Sequence, residues 1–225
     1  MFDPLALSAR QCCDFLFLGE FYDRTQIYTL GSGSVRMMKA KSINGVNLEP
    51  IGQFVDVVKA DPNAAHITFK ASSTWCGGTQ SKVTVAEFLS NGSVASPSGR
   101  HFSLTVDEPS VLGGGDSAPN PVEYLAAGLC GCITAGIATN AEMFGVPLEK
   151  LEVTVDVNYD VIGLLAVDRS VPTRSTGITY TVKLKGKPGV TREQLEKCKQ
   201  VIDGKSPVRN TLGNAIPIAT HVIVE

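Results

Sequence analysis

The stretch from Asn120 to Gly145, NPVEYLAAGLCGCITAGIATNAEMFG, limits the possible folds more than any other part of the chain. Between Tyr124 and Ala141 it has no charged residue, yet it carries Cys130 and Cys132 at its centre. Asn120 reads as an N-cap, Pro121 as the first helical residue and Glu123 as the acidic third residue of a capping box. Gly145, followed by Val146 and Pro147, reads as the stop. The spacing predicts a helix of about 24 residues, roughly 36 Å long at 1.5 Å per residue. It is apolar on nearly every face, which predicts burial. Its uncharged run barely reaches transmembrane length and is diluted by Gly128, Gly131, Gly136, Thr134, Thr139 and Asn140, so a core helix is the better reading.

The flanks supply strands. The segment 66–75 and the segment 80–88 alternate apolar and polar residues around Cys76-Gly77-Gly78-Thr79, the pattern of a hairpin with a glycine turn. A third strand is predicted over 100–108. Beyond the helix, 148–161 and 175–186 are long strands of period two. Two more helices are expected, 47–60 and 191–203, the latter opening on a Thr191-x-x-Gln194 capping box. Ser206-Pro207 begins a short helix, and 216–225 is predicted as a closing strand. Strands cluster before and after one long helix, which argues for an α+β fold with antiparallel sheets. The chain divides into an N-terminal extension, 1–41, and a domain, 42–225. In the extension a helix containing Cys12 and Cys13 is followed by a Gly/Ser connector and a short strand from Val35.

The charge balance excludes several function classes. Against 20 basic residues stand 22 acidic ones, alternating along the chain, which gives no electrostatic footing for nucleic acid or an anionic membrane. No basic n-region precedes the first apolar run, so a cytoplasmic protein is expected. Six cysteines, at 12, 13, 76, 130, 132 and 198, form no pair of CxxC knuckles, and His66, His101 and His221 are scattered. No metal site and no cofactor is expected. His66 and His221 are read as structural strand residues. The Gly113-Gly114-Gly115 loop matches neither phosphate-binding pattern, and Glu123 sits where an anion would bind.

The run DEPSVLGGGDSAPNPVEYLAAGLCGC, with VPLEKLEVTVDV after it and SPVRNTL downstream, resembles the OsmC/Ohr family of thiol-dependent hydroperoxide reductases and their relatives. The resemblance spans about 42–225. It implies an OsmC-like, intertwined homodimer with two six-stranded sheets around paired central helices. It also implies active sites at the dimer interface and no prosthetic group. Its peroxidatic position falls on Cys132. There a thiolate would attack the O–O bond of an organic hydroperoxide, leaving a sulfenic acid and an alcohol. Glu123 is the second candidate catalytic residue. The partners implied are a second copy of the chain, a small hydrophobic hydroperoxide and a thiol reductant.

Three residues depart from the family pattern. The resolving-cysteine position holds Ser206. The position of an arginine after a Gly-Gly turn holds Thr79, with Arg36 and Arg100 as off-motif substitutes. Glu123 stands one residue later than in the Ohr branch. Within a straight helix, the nine residues from Glu123 to Cys132 turn through about 900° and rise roughly 13 Å, which rules out a carboxylate–thiol contact in that helix. Cys76 and Cys198 are the alternative resolving thiols. Two functions stay open. One is a hydroperoxide reductase using Cys132 with a non-standard or external resolving thiol. The other is an OsmC-fold dimer without turnover that binds a small apolar or thiol-containing ligand.

Overall fold

The computed structural model describes residues 42–224. The expectations for the extension, including Cys12, Cys13, Arg36 and the strand from Val35, lie largely or wholly outside that range. The architecture is α+β with antiparallel pairing throughout. Helix α1 (Glu49–Ala60) and a 3₁₀ turn at Pro62–Ala65 lead into β1 (Ile67–Phe69), β2 (Ser72–Gly77), β3 (Gln80–Val85), β4 (Phe88–Ser90), β5 (Ser93–Val94) and β6 (Phe102–Val106). After the long α2 (Pro121–Phe144) come β7 (Leu148–Asn158), a single turn α3 (Val161–Leu164) and β8 (Gly177–Gly186). The helices α4 (Arg192–Lys205) and α5 (Pro207–Leu212) follow.

Within one chain these strands make three sheets, β1-β4-β5, β2-β3-β6 and β7-β8. The segment 66–75, expected as one strand, divides between two sheets as β1 and β2. Lys70 and Ala71 lie at the break and let Phe69 pair with Phe88 while Ser72 pairs with Thr84. The hairpin is as expected: Gly77 and Gly78 both take positive φ, the conformation glycine permits at no steric cost. The closing strand does not form. Residues 216–224 form no regular element and pair with none of the described strands, leaving Ile218, Val222, Ile223 and Val224 exposed. His221 lies in that coil and His66 precedes β1, both exposed rather than buried on strands.

The core sits between α2, α4 and the β7-β8 ribbon. It consists of Leu129, Ile133, Ile137 and Ala141 on α2, Val146 behind it, and Cys198 and Ile202 on α4. The α2 residues recur every fourth position, so they form one stripe along the helix. Burial is narrower than the sequence predicts. The opposite face, with Ala127, Gly128, Gly131 and Ala135, is exposed, because the described residues of one chain supply neighbours for only one side. Both ends of α2 are fixed as expected. The Asn120 side chain accepts from the Glu123 N–H at 2.9 Å, and the Glu123 carboxylate accepts from the Asn120 N–H at 2.8 Å. Gly145 closes the helix at φ 68°.

Two carboxylates tie loops to this frame. Glu142, near the end of α2, accepts from the Ser42 hydroxyl and from the N–H groups of Ile43 and Asn44 at 2.7–3.0 Å. Asp107 accepts from Thr79 Oγ1, Ser117 Oγ and the N–H groups of Glu108, Gly115 and Ser117. The glycine-rich loop therefore wraps an internal carboxylate, which takes up its amides at Gly115 and Ser117. Hydrogen bonds, led by that from Thr79, hold Asp107 well below the usual carboxylate range. At Glu142 burial pushes the other way but is outweighed by the donors from Ile43, Asn44 and Ser42, so this carboxyl is also lowered. A carboxyl lowered in the folded state stabilises above its unfolded pKa of about 4, and this is lost as pH falls through the folded value. Asp107→Asn is therefore expected to lower the urea midpoint at pH 7 and to flatten its fall below pH 4. An unchanged pH profile would contradict this role.

Candidate active site

Cys132 lies a quarter-turn from the buried stripe, on the flank of α2 that faces the junction of α4 and α5. Its sulfur is 3.1 Å from Ser206 Oγ, and Ser206 is the only hydrogen-bond partner of that sulfur among the described residues. Ser206 is completely buried. It caps α5, accepting from the Arg209 N–H at 3.1 Å. A serine oxygen that accepts from one amide keeps its own O–H to donate. The arrangement Arg209 N–H to Ser206 Oγ, then Ser206 O–H to Cys132 sulfur, satisfies every polar atom when the sulfur is a thiolate. Each bond in such a chain polarises the next.

The other cysteines have different surroundings. Cys130 turns to the far flank of α2, with its sulfur 3.7 Å from the Val153 carbonyl on β7. Cys198 is fully enclosed in the core, and burial pushes its thiol pKa up, which suppresses the thiolate. Its backbone carbonyl accepts from Asn140, about two turns along α2 from Cys132. Cys76 is exposed on the β2-β3 hairpin, its sulfur near the Thr74 carbonyl, and the chain does not bring it to Cys132.

Of the two arginine substitutes, Arg36 lies outside the described residues, and Arg100 does not act on Cys132 within the chain. The Arg100 guanidinium bonds the Ala86 carbonyl and lies over the rings of Phe88 and Phe102. Thr79 belongs to the Asp107 network, so a structural hydrogen bond replaces the charge expected there. Glu123 stays at the first turn of α2 as the reciprocal cap, and the structure does not bring it to Cys132.

Sequence reasoning missed the polar cluster beyond Ser206. Tyr180 on β8 donates to Asp203 at 2.5 Å, and Lys199 on α4 reaches the other oxygen of Asp203 at 2.5 Å. Burial, then the bond to Asp203, raises the Tyr180 pKa. The i,i+4 spacing of Lys199 and Asp203 is a visible signal for one pair. Tyr180 enters only through tertiary packing.

Residues 113–221 match the family described as OsmC-like protein, a segment that includes α2 with Cys132, the β7-β8 ribbon and Ser206. This segment belongs to the OsmC-like family. Similar solved structures include an OsmC-like protein from Mycoplasma pneumoniae, 14% identical, with a TM-score of 0.48 over 65% of this chain and 87% of that one. An organic hydroperoxide resistance protein from Legionella pneumophila is 20% identical, with a TM-score of 0.44 over 64% and 88%. Another, from Bacillus subtilis, is 16% identical, with a TM-score of 0.39 over 64% and 89%. No curated protein matches the sequence significantly. Within the OsmC-like segment, the residue that faces the central-helix cysteine is a serine.

Proposed function

We propose that this OsmC-like chain is a cofactor-free reductase of organic hydroperoxides in which Cys132 is the nucleophile and an external thiol is the reductant. The observation that carries the reading is the 3.1 Å contact between Cys132 Sγ and Ser206 Oγ at the capped start of α5. A hydroxyl at this distance stands where it can give hydrogen-bonding help to the departing oxygen. The Cys132 thiolate attacks one peroxide oxygen, the O–O bond breaks, and the alkoxide leaves as the alcohol after taking a proton. Cys132 is then a sulfenic acid. Ser206 has no sulfur, so an internal disulfide at this pair cannot form.

The working unit in this reading is a homodimer. Glycine inside a helix is about 1 kcal/mol worse than alanine, yet α2 has three. Gly136 is explained by Ile202, which fills the space a side chain would need. Gly128 and Gly131 meet nothing within 4 Å among the described residues and lie on the exposed face, where a second α2 could approach closely. Among the described residues the β2-β3-β6 sheet also lacks a cover, with Trp75 75% and Phe102 54% exposed. Two chains could cover both faces and complete larger sheets.

A second reading is favoured by Thr79 and Ser206: a dimer that binds a thiol-containing or small apolar ligand without turnover. Cumene hydroperoxide separates the two. Reduced protein is expected to consume it and to gain one oxygen, trappable by dimedone, on the Cys132 peptide. Unreacted peroxide with an unmodified peptide would sink the reductase reading. Ser206→Cys supplies the missing sulfur. After one equivalent of peroxide it is expected to form a disulfide between Cys132 and the introduced thiol, read as a loss of two mass units. Persistence of two free thiols in the oxidised variant would show that the 3.1 Å geometry does not serve this chemistry.

A further inference from the structure

The chemistry of Ser206 leaves a requirement: sulfenic Cys132 needs a reductant from outside the chain. A cleft of about 530 Å³ opens between α2, the start of β8 and α5. Leu129 lines it from α2, three residues before Cys132, and Arg209 lines it from α5, three residues after Ser206. Residues at that spacing are neighbours on a helix surface. The cleft therefore borders the site through both helices. Leu129, Ile178 and Leu212 give it an apolar part, while Ser175, Asn214 and Arg209 give it a polar one.

Arg209 is the unusual member. Its guanidinium carries five donors, of which one makes a long 3.4 Å contact to Asn210 Oδ1. The group also acts on the Tyr180 hydroxyl by its charge and by a hydrogen bond, which pull that phenol's pKa back down in part and leave the guanidinium's remaining donors open. No carboxylate forms an ion pair with Arg209 among the described residues. Asp203, which shares Tyr180 with it, is already paired with Lys199. An arginine with open donors at the edge of a cleft fits a carboxylate with two parallel bonds.

We infer that this cleft holds the carboxylate of the reductant, a small carboxylate-bearing thiol, with Arg209 as the residue that selects it. The inference rests on the hydroperoxide-reductase reading. A thiol seated there loses its proton and attacks the Cys132 sulfenic acid; the S–O bond breaks, water leaves and a mixed disulfide forms. A second molecule of the same thiol attacks that disulfide, releasing the oxidised thiol dimer and restoring the Cys132 thiolate. Two thiols thereby supply the two electrons that reduced the hydroperoxide.

The test compares full-length protein with Arg209→Gln. Pre-oxidised protein is mixed with glutathione or with uncharged 2-mercaptoethanol, and recovery of the Cys132 thiol is timed. The ratio of the two rate constants is expected to fall about ten-fold in Arg209→Gln, and to be partly restored in Arg209→Lys. The preference should also weaken with added salt. Equal rate changes for both thiols, or no change for either, would overturn the inference. Independently, unreactive S-methylglutathione is titrated into reduced protein by calorimetry. Binding that Arg209→Gln weakens about ten-fold supports the site, and absence of binding to the wild type overturns it. If S-methylglutathione binds through Arg209 while Cys132 resists peroxide, the carboxylate site stands and the reductase reading falls.

Discussion

Cys132→Ser is expected to end hydroperoxide consumption, with a fall of roughly 10³-fold or more that returns the rate to the level of bulk thiols. The substitution exchanges sulfur for oxygen in nearly the same volume. The 3.1 Å neighbour Ser206 then faces another hydroxyl, and the folded state should persist. A serine hydroxyl is not ionised near neutral pH and has no stable oxidised state, so both halves of the cycle are lost together. Cys130→Ser is the matched control. Its sulfur lies on the other flank of α2 against the Val153 carbonyl, and turnover should survive. The measurement is residual cumene hydroperoxide with excess thiol, together with circular dichroism to confirm folding. Full turnover in Cys132→Ser would move the nucleophile elsewhere. Loss of turnover in both variants would mean that the helix centre, rather than one thiol, had been disturbed.

Most of the site's frame can be read from the sequence because it is set by local chemistry. Asn120, Pro121, Glu123 and Gly145 act through neighbours on their own helix, and the structure places α2 between those signals. The Thr191–Gln194 box and the Ser206 cap are legible for the same reason. What is not legible depends on packing between distant segments. Asp107 gives no sign that it will gather Thr79, Gly115 and Ser117, residues up to 28 positions away. Tyr180 and Arg209 meet only because β8 lies beside α5. The closing strand fails for the opposite reason: its alternation is real, but alternation alone does not make a strand, and none of the described strands pairs with 216–224. The breadth of burial on α2 is overread likewise. Small residues look like core in a sequence, whereas here Gly128 and Gly131 face away from everything described in the chain.

Those glycines give the largest expected effects on folding, and they should act in different ways. Gly136→Val is expected to lower the stability of each chain by roughly 2–3 kcal/mol, about 5–10 °C in Tm. A Cβ at that position would stand 2.1 Å from Ile202 Cδ1 and 2.3 Å from Cγ1. Only the tip of Ile202 is flexible, its β-branch restricts rotation, and it belongs to the same core as the enclosed Cys198, Ile133 and Ile137. Repacking there means separating α2 from α4, and that would also shift the Cys132–Ser206 contact. Replacing Gly131 with leucine meets no such obstacle among the described residues, and its helix propensity should favour the monomer by about 0.5–1 kcal/mol. If a second α2 packs against that face, the same substitution should break the association. Sedimentation of Gly131→Leu as a folded monomer, beside a dimeric wild type, is the expected result. A wild-type monomer would remove the paired-helix arrangement. A leucine variant that stays dimeric would place the interface on another face, with the uncovered β2-β3-β6 sheet as the remaining surface.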